Sequence, residues 1–309
     1  MHLKLRHLSV FHAVMEEGSV SKAADRIGLT QPAVSIALSR LEEMLGFPLF
    51  NRAKGYFVPL PEARLLHADA ELAILAFERF ASRAKSIEDG ADGLVRVGAI
   101  GSPAFSLMPD VMARFASIRG KVEVQLQVRS SPQIAYLVGN GQVDIGIVEA
   151  PVAAQGVTPI PVSIPCVCIM RADDPLAEVD VVRPEHLANR RMISVGENHP
   201  LDRGVREAFV SSGIAWSSDI CCYFFSIIRS LVAKGTGVAI VDVINGTAAL
   251  NDGVIWRPFS PALTYDLAVI TRAGATFRTP TQDFLDMTVS SLEDFAARTW
   301  GDEASMSAT

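Results

Sequence analysis

No run of 18 consecutive apolar residues occurs in the 309-residue chain, so no membrane-spanning helix is predicted. The N-terminal residues 1–18 lack a long apolar core and a small-residue cleavage site. They are expected to form a first helix, not a signal peptide, and the protein is expected to be cytoplasmic. Cysteine is sparse: Cys166, Cys168, Cys221 and Cys222 are the four present. In that compartment they are expected to be reduced, and a C-x-C plus a C-C pair does not have zinc-knuckle spacing. Also missing are G-x-S-x-G, a P-loop, H-E-x-x-H and a dinucleotide fingerprint followed by an acidic residue. No enzyme, cofactor or metal is therefore expected.

What remains is a globular composition, 49% apolar and 20% charged, long enough for two or three modules with cores of their own. The net charge of −6 is unevenly spread. Residues 1–60 carry seven Lys/Arg against five Asp/Glu, whereas residues 91–309 carry 17 against 23. A weakly basic head on an acidic body fits a small nucleic-acid-contacting module attached to one that does not touch nucleic acid.

The most informative stretch is 19–50. A helix is predicted over 21–27, a turn at Gly28 and Leu29, and a second helix from after Thr30 to about Leu45. Thr30 suits an N-cap, Pro32 is tolerated in the first turn, and Gly46 ends the helix. Ala23, Ala24 and Ile27 form one inner face, and Val34, Leu38 and Leu41 recur at helical spacing in the second helix. Gln31, Ser35 and Ser39 are left on another face, short polar groups of the kind that reach base edges in a major groove. A helix over 3–17, with Leu5, Leu8, Val10, Phe11 and Val14 on one side, can roof the pair. His7 and His12, five apart, are read as surface or packing residues. Arg52, Lys54 and Gly55 read as a wing tip before a strand over 56–58, with basic groups for backbone phosphates.

The strings A-A-D-R-I-G-L-T-Q-P-A-V-S and L-E-E-M-L-G-F-P-L-F-N-R resemble the N-terminal domain of the LysR-type bacterial transcriptional regulators over roughly the first 60 residues. The resemblance implies a winged helix-turn-helix that binds double-stranded DNA at an interrupted palindromic operator. It places Ser21, Gln31, Pro32, Ser35, Ser39, Arg40, Arg52 and Lys54 at the DNA. Ile36 departs from the pattern, standing where many members carry a basic residue, and Pro61 and Arg64 replace the usual Thr and Gly after the wing.

A helix is predicted from Pro61 to about Asp89. Within it Leu66, Ala70, Ala73, Phe77, Phe80, Ala84 and Ile87 follow one another at spacings of 4, 3, 4, 3, 4 and 3. That 3.5-residue period predicts a seam that must be buried. The family resemblance implies a linker helix over 61–90 that pairs with its copy, giving a homodimer and from it a homotetramer. The segment 89–93 reads as a flexible domain boundary.

From Leu94 the pattern alternates between strands and helices. A strand at 94–100, a helix at 103–118, a strand at 122–128, a helix at 132–140 and a strand at 143–148 predict a mostly parallel sheet. A second set follows, with strands near 166–170, 192–195 and 220–223, helices at 202–211 and 226–234, and the strand GVAIV. The chain then returns through 254–258 and 266–271 to a last helix at 281–298. The expected fold class is α/β. The family resemblance implies a two-lobed effector domain over 91–309, similar to type 2 periplasmic binding proteins. Lobe I is expected at about 91–163 and 267–300, and lobe II at about 164–266.

Ligands collect at the carboxyl ends of strands beside helix N-termini. The residues with that placement are Ser102, Pro103, Ser130, Ser131, Glu149, Ser194, Phe225 and Ser226. A serine before proline is also an ordinary helix cap with no ligand duty. The C-terminal string LVAKGTGVAIVD is similar to the amino-acid- and opine-responsive branch of the family. It implies an amino-acid-like effector, with its carboxylate at the helix ends and its amine towards Glu149. An activator of this family would also meet RNA polymerase. The alternative within regulation is a thiol-based redox sensor using Cys166, Cys168, Cys221 and Cys222.

Overall fold

A computed structural model of the chain describes residues 3–51, 57–88 and 93–297. The chain divides into two units, Met1–Gly90 and Ala91–Thr309. Among the described residues, no helix is long and apolar enough to cross a membrane.

The first unit opens with α1 (Leu5–Glu17), which starts two residues later than predicted because Lys4 is the extended N-cap. Next come α2 (Val20–Ile27) and α3 (Gln31–Leu45). Gly28 makes the turn between them at φ +67°, a left-handed conformation that is cheap only for glycine. The Thr30 hydroxyl accepts from the Ala33 N–H at 3.4 Å and caps α3, and Gly46 ends it at φ +82°. The inner faces bury Phe11, Val14, Ala23, Val34, Leu38 and Leu41. Strands β1 (Phe50–Asn51) and β2 (Val58–Pro59) form an antiparallel hairpin. The Glu42 carboxylate pins it to α3 by accepting from the N–H groups of Leu49 (2.8 Å) and Phe50 (3.2 Å). The expected wing tip, with Arg52 and Lys54, lies outside the described residues.

Helix α4 (Pro61–Glu88) follows, about 42 Å long at 1.5 Å per residue. Its seam does not have one environment throughout. Ala63 and Ala70 are buried against the first unit's own core, and Leu66 is half-buried there. Further along, Ala73 and Ala84 are exposed, Phe77 is 53% exposed and Phe80 is 73% exposed. Helix α1 packs against α4, and Ala70 is the last α4 residue that joins the first unit's core.

The second unit begins with β3 (Leu94–Ala99). The predicted single helix at 103–118 is broken at Leu107 into α5 (Gly101–Ser106) and α6 (Met108–Ile118), with Pro109 in the first turn of the second piece. Then come β4 (Glu123–Val128), α7 (Ser131–Gly139), β5 (Ile145–Glu149) and the 15-residue β6 (Val157–Arg171). The chain continues with α8 (Pro184–Leu187), β7 (Ile193–Ser194), α9 (Pro200–Ser211), β8 (Ile220–Cys221), α10 (Phe225–Ala233) and β9 (Ala239–Asp242). It closes with α11 (Val243–Gly246), β10 (Val254–Pro258), β11 (Thr264–Arg272) and α12 (Thr279–Ala296).

Among the described residues the main sheet has seven strands in the order β10-β6-β11-β5-β3-β4, with β9 also on β6. Only the pairings of β3 with β4 and with β5 are parallel. The expectation of a mostly parallel sheet therefore holds for the first βαβαβ stretch alone. Strand β11 inserts antiparallel between β5 and β6, and β9 and β10 pair antiparallel with β6. Strand β6 explains the two-lobed α/β form. Residues 157–165 pair with β11, whereas residues 166–171 pair with β9 and β10, so one strand serves both halves. Helix α7 lies close on the sheet over Gly146, where an added Cβ would come within 2.6 Å of Ile270 and 2.7 Å of Ile134.

Candidate functional site

On the first unit, the polar side of α3 remains open once Val34, Leu38 and Leu41 are buried. Gln31, Pro32 and Arg40 are exposed, Ser35 and Ser39 are half-buried, and Ser21 is exposed on α2. Ile36 is 54% exposed on the same helix.

On the second unit, a cleft of about 480 Å³ opens at the strand ends, within the usual range for small-molecule sites, roughly 300–1,000 Å³. One side is built by Ile100, Gly101 and Ser102 after β3, by residues 128–133 at the start of α7, and by Glu149 at the end of β5. The other side is built by His199, Tyr223, Phe224, Phe225 and Tyr265. The predicted residues Ser102, Ser130, Ser131, Glu149 and Phe225 are thus brought together. Pro103, Ser194 and Ser226 are not among the lining residues. Pro103 is buried within α5, Ser194 is buried in the β7–β8 pair, and Ser226 is half-buried in α10, one residue after Phe225.

The serines that do reach the cleft are engaged within the protein. Ser102 donates to Asp242 and accepts from the Asn245 side-chain amide at 3.0 Å. Asn245 also accepts from Ser106 at 2.8 Å. This buried knot ties α5 to the β9–α11 corner. Burial pushes the Asp242 carboxyl above its usual range, although hydrogen bonds from Ser102 and Asn245 oppose the shift. Ser131 accepts from the Glu149 N–H at 3.0 Å, and Gln133 accepts from both the N–H (3.2 Å) and the hydroxyl (3.0 Å) of Ser130.

Glu149 is the charged centre. Its Oε1 accepts from the Tyr265 hydroxyl at 2.8 Å and lies 3.3 Å from His199 Nε2. His199 Nδ1 accepts from the Leu201 N–H at 3.2 Å at the start of α9, so the ring hydrogen is on Nε2 and points to the carboxylate. The His199 hydrogen bond holds the Glu149 carboxyl below its usual range. Burial opposes that shift and Tyr265 adds to it. Burial, with the Glu149 charge beside it, raises the Tyr265 phenol far above its ordinary value. His199, Phe225 and Tyr265 pack ring to ring, with centroids 5.0 to 5.6 Å apart. Arg129, exposed at the lip, adds a positive charge beside the first turn of α7. Gly101 admits the Phe224 ring, since a Cβ there would lie 2.4 Å from it.

His199, Tyr265 and Arg129 are the residues that sequence reasoning missed. His199 did carry a signal: it stands directly before Pro200 at a helix start, the same Pro-adjacent pattern that marked Ser102 and Ser131. Tyr265 carried none, because it comes from a strand far along the chain. Cys166 and Cys168 are fully buried, and burial raises both thiols well above their ordinary value, which suppresses the reactive thiolate. Cys221 is exposed and Cys222 is half-buried.

Comparison with known proteins extends over nearly the whole chain. Residues 5–64 match the family described as bacterial regulatory helix-turn-helix protein, lysR family, and residues 88–293 match the LysR substrate binding domain. The chain is 26% identical over 281 residues to the HTH-type transcriptional regulator DgcR of Pseudoalteromonas sp, covering 87% of this chain and 92% of that one. It is 28% identical over 269 residues to the regulatory protein NocR of Agrobacterium fabrum, covering 87% and 90%. The crystal structure of full-length CbnR complexed with its target DNA shares the fold, with a TM-score of 0.71, 17% identity, and coverage of 95% of this chain and 100% of that one.

Proposed function

The chain belongs to the LysR family of bacterial transcriptional regulators, and from that membership we propose how its own residues divide the work. It is a DNA-binding regulator, not an enzyme, with a helix-turn-helix domain and an effector-binding domain. Helix α3 enters the major groove of an interrupted palindrome. Gln31, Pro32, Ser35 and Ser39 face base edges, and Ser21, Arg40, Arg52 and Lys54 serve the phosphates. The open part of the α4 seam, from Ala73 through Phe77, Phe80 and Ala84, pairs with the same stretch of a second copy. Two such dimers make a tetramer on adjacent half-sites. Exposed phenylalanines three apart within a 3.5-residue period support that reading, because a stripe of this kind left in water is costly.

The effector is an amino acid or a derivative of one, bound between a lobe of about 91–163 and 267–300 and a lobe of about 164–266. One observation carries this: Glu149, whose carboxyl stays ionised, shares a cleft with Arg129 and the first turn of α7. A zwitterion satisfies both ends, with its ammonium on Glu149 and its carboxylate at the N–H groups of α7 and at Arg129. Tyr223, Phe224 and Phe225 cover the side chain. The effector acts through unequal affinity for two inter-lobe arrangements, which α4 relays to the spacing of the bound half-sites. Where the outcome is activation, RNA polymerase is the further partner. Calorimetry of the full chain with an amino-acid and opine panel tests the class. Binding of at least one member, weakened in Glu149→Gln, is the expected result, and no heat from any member removes the proposal.

A further inference from the structure

We infer that the first unit carries a divalent transition-metal site built from His12, Glu16 and His67. His12 and Glu16 stand four residues apart on α1 and so share one face of it. His67 comes from α4, which packs against that face. His12 Nδ1 and His67 Nε2 are 3.0 Å apart, and Glu16 Oε1 is 3.6 Å from His67 Nε2. The three donor atoms all lie within 4.8 Å of one another. A tetrahedral ion with ligands at about 2.0–2.1 Å separates its donors by about 3.4 Å, a value these distances bracket. Two imidazoles and one carboxylate on two helices, with an open side, are a donor set suited to zinc, cobalt or nickel.

The surroundings favour a cation. His12 is half-buried, Glu16 is exposed, and Glu71 lies near enough on α4 to act on the His12 ring. Arg26 on α2 opposes, although its guanidinium is held 3.1 Å from Glu17. Phe11 closes one side of His67, edge to face, with ring centroids 6.3 Å apart. An ion here would bolt α1 to the root of α4, fixing the angle at which the rod leaves the helix-turn-helix.

The test is metal titration of the full-length, tag-free, chelator-stripped protein with Zn2+ followed calorimetrically and with Co2+ followed by visible absorption. The expected result is one ion per chain, a tetrahedral Co2+ spectrum and no thiolate charge-transfer band. His67→Gln and Glu16→Gln should each weaken binding by at least about tenfold, the lower end of what losing even an outer-sphere partner costs. Cys221→Ser and His199→Gln should leave it unchanged. Glu16 is exposed, so Glu16→Gln keeps the fold, which circular dichroism checks. No binding, binding untouched by His67→Gln and Glu16→Gln, or binding lost with Cys221 or His199 would each overturn the site.

Discussion

The two units meet opposite demands with the same chain chemistry. The first presents most of its candidate DNA-facing residues from one continuous segment: α2, the turn at Gly28 and α3 are consecutive, and burying one side of α3 automatically exposes the other. The second gathers its working residues from segments between residue 100 and residue 265, none of which forms a cleft alone. A display surface needs only a correctly folded helix. A cleft needs long-range ties, and the second unit holds them in buried polar knots around α5, β9, α10 and α11. Variants in the two units should therefore fail differently.

The largest effect is expected at Arg229. It is 3% exposed, makes paired hydrogen bonds to Asp252 at 2.8 and 3.0 Å, and donates to the carbonyls of Asn245 and Gly246. Removing one partner strands buried charge and carbonyl groups. Arg229→Ala should cost about 3–5 kcal/mol in denaturant unfolding. Ser35→Ala on the display surface should change stability by less than about 0.5 kcal/mol. Comparable losses at the two positions would erase the contrast.

Next comes the cleft itself. Asp242→Ala leaves Ser102 and the Asn245 amide without their shared acceptor, and should cost about 1–3 kcal/mol in stability. Glu149→Gln should instead leave folding nearly intact and weaken effector binding by roughly tenfold to a hundredfold, the weight of a hydrogen bond to a charged group. Calorimetry and thermal unfolding on the same samples separate the two outcomes.

These differences match what could be read in the sequence. Helices α1 to α4 and their caps were legible to within two residues, because apolar period, Thr30, Pro32 and Gly46 are local signals. The end of β5 and the start of α7 were legible for the same reason, which is why Glu149, Ser130 and Ser131 were found. The antiparallel insertion of β11 was not. Strand direction depends on which distant segment pairs with which, and periodicity carries no information about that. Tyr265 and the Asp242–Asn245 knot were missed with it, since both exist only once β11 and β9 are placed. The half-buried start of the α4 seam was missed because the same Leu-Ala-Ala period serves equally well against α1 and against a second rod.

A smaller effect is expected on the display surface. Gln31→Ala should reduce discrimination between operator and scrambled duplex by about 1–2 kcal/mol, with little change in the salt slope. Arg40→Ala should lower affinity for both duplexes and reduce that slope. Gel shifts at two salt concentrations check both variants, and identical behaviour of the two would mean that base and phosphate duties are not divided along α3.

The smallest effect lies in the acid limb of stability, where two carboxylates of the second unit pull in opposite directions. Glu149 has its folded pKa lowered by His199 and Tyr265. Its contribution is present above the ordinary glutamate value, about 4.3, and is lost as pH falls through the lower folded value. Asp242 has its folded pKa raised by burial. The fold therefore binds that proton more tightly than the unfolded chain does. Its contribution is full below the ordinary aspartate value, about 3.9, and is lost as pH rises through the folded value. Glu149 is partly exposed, so solvent screening keeps its share small. Urea unfolding across the acid range should show a shallower loss of stability in Glu149→Gln than in the parent chain, and a steeper one in Asp242→Asn. Slopes that moved together would mean that the two carboxyls titrate as a pair rather than independently.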